Sequence, residues 1–248
     1  MLVAARFPGL GQLRGYLVAD LLSRYSERTG LTPTVIDLLP RREAELRAAC
    51  AELNIHPPQH TLTLPVSAEQ LARQFADGIR EPVFDVGVRA AGEPAEPAAE
   101  GLAGCWIVVA GWGNGTAGDT AGTTSWERLE PGAEPAAVRL NLMRHGYGEM
   151  LGSGPQPGAL EADSARKELA RWRELVARWA RSPSGPMSRR YADAVTAAFA
   201  DDLDTAAALR EMAALADDAG VPDGVKFETF AAADRLFGLD LARDVGRY

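Results

Sequence analysis

Apolar residues at Leu13, Leu17, Leu21 and Tyr25, with Tyr16, Ala19 and Leu22 between them, mark one face of a helix, because side chains three and four positions apart share a face. A short apolar run at residues 2–5 enters this segment through a tight Pro8-Gly9-Leu10-Gly11 turn. Gly30 stands just past the periodic stretch, where a helix ends well on a residue that accepts positive φ. Residues 31–38 (LTPTVIDL) then read as a second strand. Strand, glycine turn, helix and strand form one βαβ unit, which predicts a parallel sheet. In such a sheet the turn after the first strand lies at the ligand-binding edge, and the N–H groups opening the helix can meet an anion.

The pattern continues as alternating elements. Residues 41–53 carry Leu46, Cys50 and Leu53 on one face and predict a helix that Pro57-Pro58 ends. Short strands are predicted at residues 61–64, 83–88 and 106–112, the last of them β-branched and unbroken (WIVVAGW). Ser67-Ala68-Glu69-Gln70 is a capping box opening a helix through residue 79. Residues 90–101 (AAGEPAEPAAEG) are a Pro/Ala/Glu connector, residues 113–124 (GNGTAGDTAGTT) a glycine-rich loop, and residues 135–147 a helix. Beyond a linker at residues 151–158 only helices are predicted, over residues 163–180, 187–200, 204–220 and 225–237. Asp204 is the expected N-cap of the third and Gly238 the stop of the fourth. The fold class is therefore α/β, a Rossmann-like parallel-sheet domain over residues 1–150 followed by a small α-helical bundle over residues 151–248.

Composition narrows the function classes. A net charge of -8 disfavours a general nucleic-acid role, since such binding rests on clustered Lys and Arg. The two cysteines, Cys50 and Cys105, make neither a disulfide framework nor a CxxC metal site. No apolar run is long enough to span a membrane, and the N-terminus lacks a basic region followed by a long apolar stretch. A soluble, cytoplasmic protein with no membrane partner is the expectation.

Several segments, in order, resemble class I cysteinyl-tRNA synthetases, and more closely the related cysteine ligases of mycothiol biosynthesis. QLRGYLVADLLSRYSERTG is similar to the helix after that family's HIGH signature, and AELRAACAELNIHPPQH to its helix ending in a Leu-x-x-x-Pro-Pro segment. EPAAVRLNLMRHGY is similar to the helix after the KMSKS loop, and RYADAVTAAFADDLDTAAALREM and ADRLFGLDL to the C-terminal bundle. The resemblance covers roughly residues 1–80 and 134–248 and implies the synthetase fold, with an ATP or aminoacyl-adenylate-like ligand.

The same resemblance implies that the chemistry has been lost. In the family, two HIGH histidines stabilise phosphate charge during adenylation; here the aligned tetrapeptide is Gly9-Leu10-Gly11-Gln12. The family's KMSKS lysines clamp pyrophosphate; the corresponding residues 113–124 contain no lysine, and Lys167 and Lys226 are the only two in the chain. Losing positioned cations where charge develops costs orders of magnitude in rate, unless Arg128 or Arg144 replaces them. The family's zinc is disfavoured too: the first strand has no Cys, the insertion is cut down to roughly residues 83–105, and Cys50, Cys105, His56, His60 and His145 do not fall at ligand spacings.

Phe7, Gly9, Gly11 and Gln12 are accordingly the candidate ligand-binding residues of a degenerate HIGH region, although a structural turn would use the same glycines. Asn114, Thr116 and Asp119 would mark a relic of a mobile lid, although residues 113–124 fit no P-loop pattern and a flexible loop without a ligand has the same composition. Arg166, Lys167, Arg171, Arg173, Arg178 and Arg181 could meet RNA or an acidic partner, but Glu168 and Glu174 interleave with them and favour a solvated helix face. Trp172 and Trp179, seven apart, are expected in the bundle core, and His145 in a structural role. The leading expectation is a non-catalytic ligand-binding or accessory protein, its partner a small molecule or another protein. The alternative is a repurposed aminoacyl ligase or transferase making an amide with a small amine; tRNA is disfavoured. Loss of the insertion bares apolar surface and leaves room for self-association.

Overall fold

The periodic segment after the first glycine turn forms α1 (Leu10–Arg28), with Leu13, Tyr16, Leu17 and Leu21 buried. Gly30 closes it at φ +86°, a backbone conformation that costs glycine little. A computed structural model describes residues 2–4, 10–38, 43–62, 84–90, 103–109, 134–149, 151 and 162–247. The predicted helix at residues 67–79, the connector at 90–101 beyond residue 90, and the loop at 113–124 lie outside the described residues.

The chain divides into two compact units. The first comprises Met1–Ala51, Ile55–Trp126 and Tyr147–Pro157; the second comprises Glu52–Asn54, Glu127–Gly146 and Gly158–Tyr248. In the first, β1 (Leu2–Ala4), β2 (Ile36–Leu38), β3 (His60–Leu62), β4 (Phe84–Ala90) and β5 (Ala103–Val109) pair in the order β3-β2-β1-β4-β5. Every pairing is parallel. Helix α1 packs on β1, β4 and β5, and α2 (Glu43–Glu52) precedes β3.

The second unit contains α3 (Pro135–Met143), α4 (Ala162–Trp179), α5 (Arg189–Ala200), α6 (Thr205–Asp217) and α7 (Asp223–Phe237). Its core forms where the apolar stripe of α4 meets α7: Leu169, Trp172, Val176 and Trp179 are all buried. Both tryptophans stand edge-on to Phe230, with centroids at 5.8 and 5.2 Å, an arrangement favoured by the ring quadrupoles. Asp204 caps α6 by accepting from the Ala207 N–H at 2.7 Å. Gly238 ends α7 in the left-handed region at φ 64°.

The expected fold class needs correction. The described residues are mostly helical, with seven helices of nine to 19 residues beside strands of three or seven, so a Rossmann-like α/β domain is not their principal architecture. Short apolar runs read too readily as strand, because periodicity alone cannot separate a brief strand from other buried chain. Residues 31–38 illustrate this: only Ile36–Leu38 is strand, and Pro33, lacking an N–H, stands ahead of it.

Two predictions follow from this packing. A Cβ on Gly224 would lie 1.9 Å from the Pro183 carbonyl oxygen, whereas one on Gly148 would meet nothing within 4 Å. Gly224→Ala is expected to cost at least about 1–3 kcal/mol in urea unfolding, and Gly148→Ala to stay within about 0.5 kcal/mol; equal midpoints would refute the close approach. Separately, the Tyr191 hydroxyl donates to Asp218 Oδ2 at 2.8 Å. This bond holds the Asp218 carboxyl below its ordinary range and the tyrosine above its own. The lowered carboxyl stabilises above its unfolded pKa and stops doing so as pH falls through the folded one. The raised phenol stabilises below its unfolded pKa and stops as pH rises through the folded one. The stability gap between wild type and Tyr191→Phe should therefore be widest near neutral pH and narrow toward both extremes; a pH-independent gap would contradict this pairing.

Candidate functional site

Of the residues singled out for ligand binding, Gly11 and Gln12 fall in the first turn of α1, while Phe7, Gly9, Asn114, Thr116 and Asp119 lie outside the described residues. The topology places β1 between β2 and β4, with α1 opening beyond the C-terminal end of β1. One turn further on, Arg14 is buried and its Nη1 donates to the Glu149 carbonyl oxygen at 2.5 Å. Burial lowers its pKa to about 10, opposed by the Glu149 charge, so the guanidinium remains protonated at neutral pH.

The polar centre that sequence reading missed sits on the next turns of the same helix. Asp20, fully buried, accepts from Arg24 Nε at 2.8 Å and from the His56 backbone N–H at 3.0 Å. His56 Nδ1 lies 3.2 Å from the same carboxylate, and Nε2 lies 3.4 Å from Arg24 Nη2. Since a guanidinium only donates, these contacts suit a neutral imidazole with its proton on Nδ1 and its Nε2 lone pair toward Arg24. A carboxylate–histidine pair of this kind serves catalysis when Nε2 faces a nucleophile; here a cation stands against it. The cluster anchors residue 56 to α1 and has no free base. Asp20 and Arg24 at i and i+4 were visible in the sequence, but the closing partner, 36 residues on, was not.

The other candidates are engaged structurally. Arg144, a possible replacement cation, bonds Glu168 and donates to Ser164 Oγ at 3.1 Å. His145, half-buried, ends α3 with its N–H directed to the Leu142 carbonyl. Cys50 is buried, and no group of three His, Cys, Asp or Glu among the described residues could hold a metal ion. None of the described helices is long and apolar enough to cross a membrane.

No protein-family model matches the chain. It is 36% identical over 114 residues to the L-cysteine:1D-myo-inositol 2-amino-2-deoxy-α-D-glucopyranoside ligase of Streptomyces coelicolor, which covers 44% of this chain and 26% of that ligase. The corresponding ligases of Streptosporangium roseum and Streptomyces griseus are 34% identical over 118 and 114 residues, covering 46% and 44% of this chain. The match spans about a quarter of those ligases, at 26% and 27% of their length. Over that part the chain is related to a cysteine ligase.

Removing one member of a buried charged cluster leaves the others unpaired. Asp20→Ala should lower unfolding free energy by about 3–5 kcal/mol, and Asp20→Asn, which keeps the shape and one acceptor, by less. Urea denaturation checks both; an Asp20→Ala protein as stable as wild type would remove the anchoring role.

Proposed function

We propose that this chain is a paralogue of the cysteine ligases that has lost the ATP-adenylation machinery and acts as a non-catalytic ligand-binding or accessory protein. The observation carrying this reading is where its lysines are. Adenylation needs cations at the phosphate where charge develops and at the departing pyrophosphate. The chain has two lysines. Lys226 is buried, donating from Nζ to the Ala216 carbonyl at 3.0 Å beneath the Trp179 ring. Lys167 pairs with Asp163 at 3.4 Å. Neither belongs to residues 113–124, which correspond in order to the family's pyrophosphate loop, and Gly9-Leu10-Gly11-Gln12 supplies no imidazole.

The retained ligand in this reading is ATP or an aminoacyl-adenylate-like molecule. It meets backbone N–H groups at Gly9 and Gly11 and the side chains of Phe7 and Gln12, with Asn114, Thr116 and Asp119 as the remnant of the loop. Backbone N–H groups at the start of a helix bind anions without needing a lysine. No zinc and no tRNA takes part.

ATP–pyrophosphate exchange with cysteine and then a broad amino-acid panel tests the loss of chemistry, and calorimetry with a non-hydrolysable cysteinyl-adenylate analogue tests the pocket. Binding without exchange is expected. Robust exchange would overturn the non-catalytic reading in favour of a repurposed amide ligase, and absence of binding would remove the ligand.

A further inference from the structure

Beyond the left-handed turn at Gly238, residues 239–247 form neither helix nor strand. Their backbone–backbone hydrogen bonds among the described residues are turns within the segment: Arg243 to Asp240, Val245 to Ala242 and Arg247 to Asp244. Leu239 and Leu241 are nevertheless fully buried. The segment is therefore attached by two apolar side chains and by side chains of neighbouring helices that grip its backbone.

That grip has two parts. Asp234, in the last turn of α7, accepts the Leu239 N–H on Oδ1 and the Leu241 N–H on Oδ2, both at 2.8 Å. Arg173 on α4 donates to the Leu239 and Asp240 carbonyls at 3.0 and 3.1 Å. It also bonds Glu134, which receives Arg243 of the segment at 2.8 Å. Just ahead of the segment, Arg139 holds the Phe237 carbonyl and Asn54 Nδ2 the Gly238 carbonyl at 2.9 Å. The chain is thus fixed up to residue 238 and turns there at φ 64°. The segment also supplies Asp244 to a groove of about 660 Å³ along α4, whose lining includes Arg166, Arg173, Arg178 and Glu134.

The two holds differ in charge. Arg173 is matched by Glu134, whereas the half-buried Asp234 forms no ion pair among the described residues and takes its direct bonds from neutral N–H groups. Taking a carboxylate out of water without a counter-ion is costly. Burial accordingly pushes the Asp234 carboxyl above the ordinary aspartate range, and the facing charge of Asp240 adds to the rise. The two N–H bonds and the charge of Arg139 on α3 oppose it.

We propose that residues 239–247 are a strap that opens about Gly238, and that a proton on Asp234 tightens it. With the strap shut, the carboxyl is enclosed and keeps its proton more firmly; with the strap lifted, it is hydrated and returns to the ordinary range. The shut form is therefore favoured in acid, and that advantage is lost as pH rises through the shut-state value. The window runs upward from the ordinary aspartate range. Lifting the strap exposes Leu239 and Leu241, takes two acceptors from Arg173, and removes Asp244 from the groove. This inference concerns the second unit and does not depend on the ligand reading of the N-terminal region.

Amide hydrogen exchange of the full chain, read residue by residue by NMR, tests this directly, because the Leu239 and Leu241 amides are the ones Asp234 holds. Each rate is divided by the intrinsic rate at that pH, and amides of α4 and α7 report global unfolding. Strap protection is expected to fall as pH rises across the window, by at most about tenfold per pH unit for one proton, and then to level off, while α4 stays protected. Asp234→Asn, which cannot titrate, should abolish that dependence. Glu134, Asp240 and Asp244 are common to both proteins, so the comparison isolates Asp234. If this variant loosens the strap outright, Asp240→Asn serves instead, since Asn tolerates the left-handed backbone at residue 240, φ 54°. Removing that facing charge should move the fall to lower pH. Protection that is flat or rises with pH in the wild type, an unchanged profile in a folded variant, or strap amides that exchange only together with α4 and α7 overturns the proposal.

Discussion

Helix ends leave backbone carbonyls without partners, and in the second unit buried side chains from neighbouring helices supply them. The last four carbonyls of any α-helix lack an intrahelical donor, and burying one unpaired costs about 1–3 kcal/mol. Arg139, fully buried on α3, donates from Nε to the Phe237 carbonyl at 2.6 Å and from Nη1 to Leu53 and Asn54 at 3.0 and 3.1 Å. Lys226 does the same for Ala216 at the end of α6, and the Thr205 hydroxyl for Met143 at the end of α3. Arg173 meets the two carbonyls just past Gly238, where the Asp234 carboxylate also holds the Leu239 and Leu241 N–H groups. A buried cation is tolerated only where acceptors surround it, so each of these side chains fixes the position of a helix terminus.

That constraint bears on function. A cation held by backbone carbonyls is not available to a phosphate that gains charge during a reaction. Lys226, Arg139 and Arg173 are all held in this way, and Arg144 by Glu168. The histidine with a carboxylate beside it, His56, has a guanidinium against its remaining nitrogen. These particular charged groups therefore hold structure. Arg178 is the contrast, exposed over a groove and without an ion pair among the described residues.

Much of the helical half could be read directly. Leu169, Trp172, Val176 and Trp179 fall on one stripe, and a stripe of that width must be buried; Asp204 and Gly238 punctuate the helices by local chemistry that needs no distant partner. The first half was read less well. Apolar runs of a few residues carry no period long enough to fix their class, so residues 31–38 promised more strand than the three residues found. The candidate ligand residues rested on resemblance, and apart from Gly11 and Gln12 they fall outside the described residues.

The sequence by itself determined where the helices of the second unit run, where they are capped, and that lysine is confined to Lys167 and Lys226. These are local or compositional properties, set by neighbours within a few positions. Only the tertiary structure decided which remaining charges are free. Whether Arg139 is a surface cation or a buried tie depends on the Phe237 carbonyl 98 residues away, and the Asp20 carboxylate finds His56 across 36. No periodicity encodes such pairings, because they depend on where separate helices come to rest.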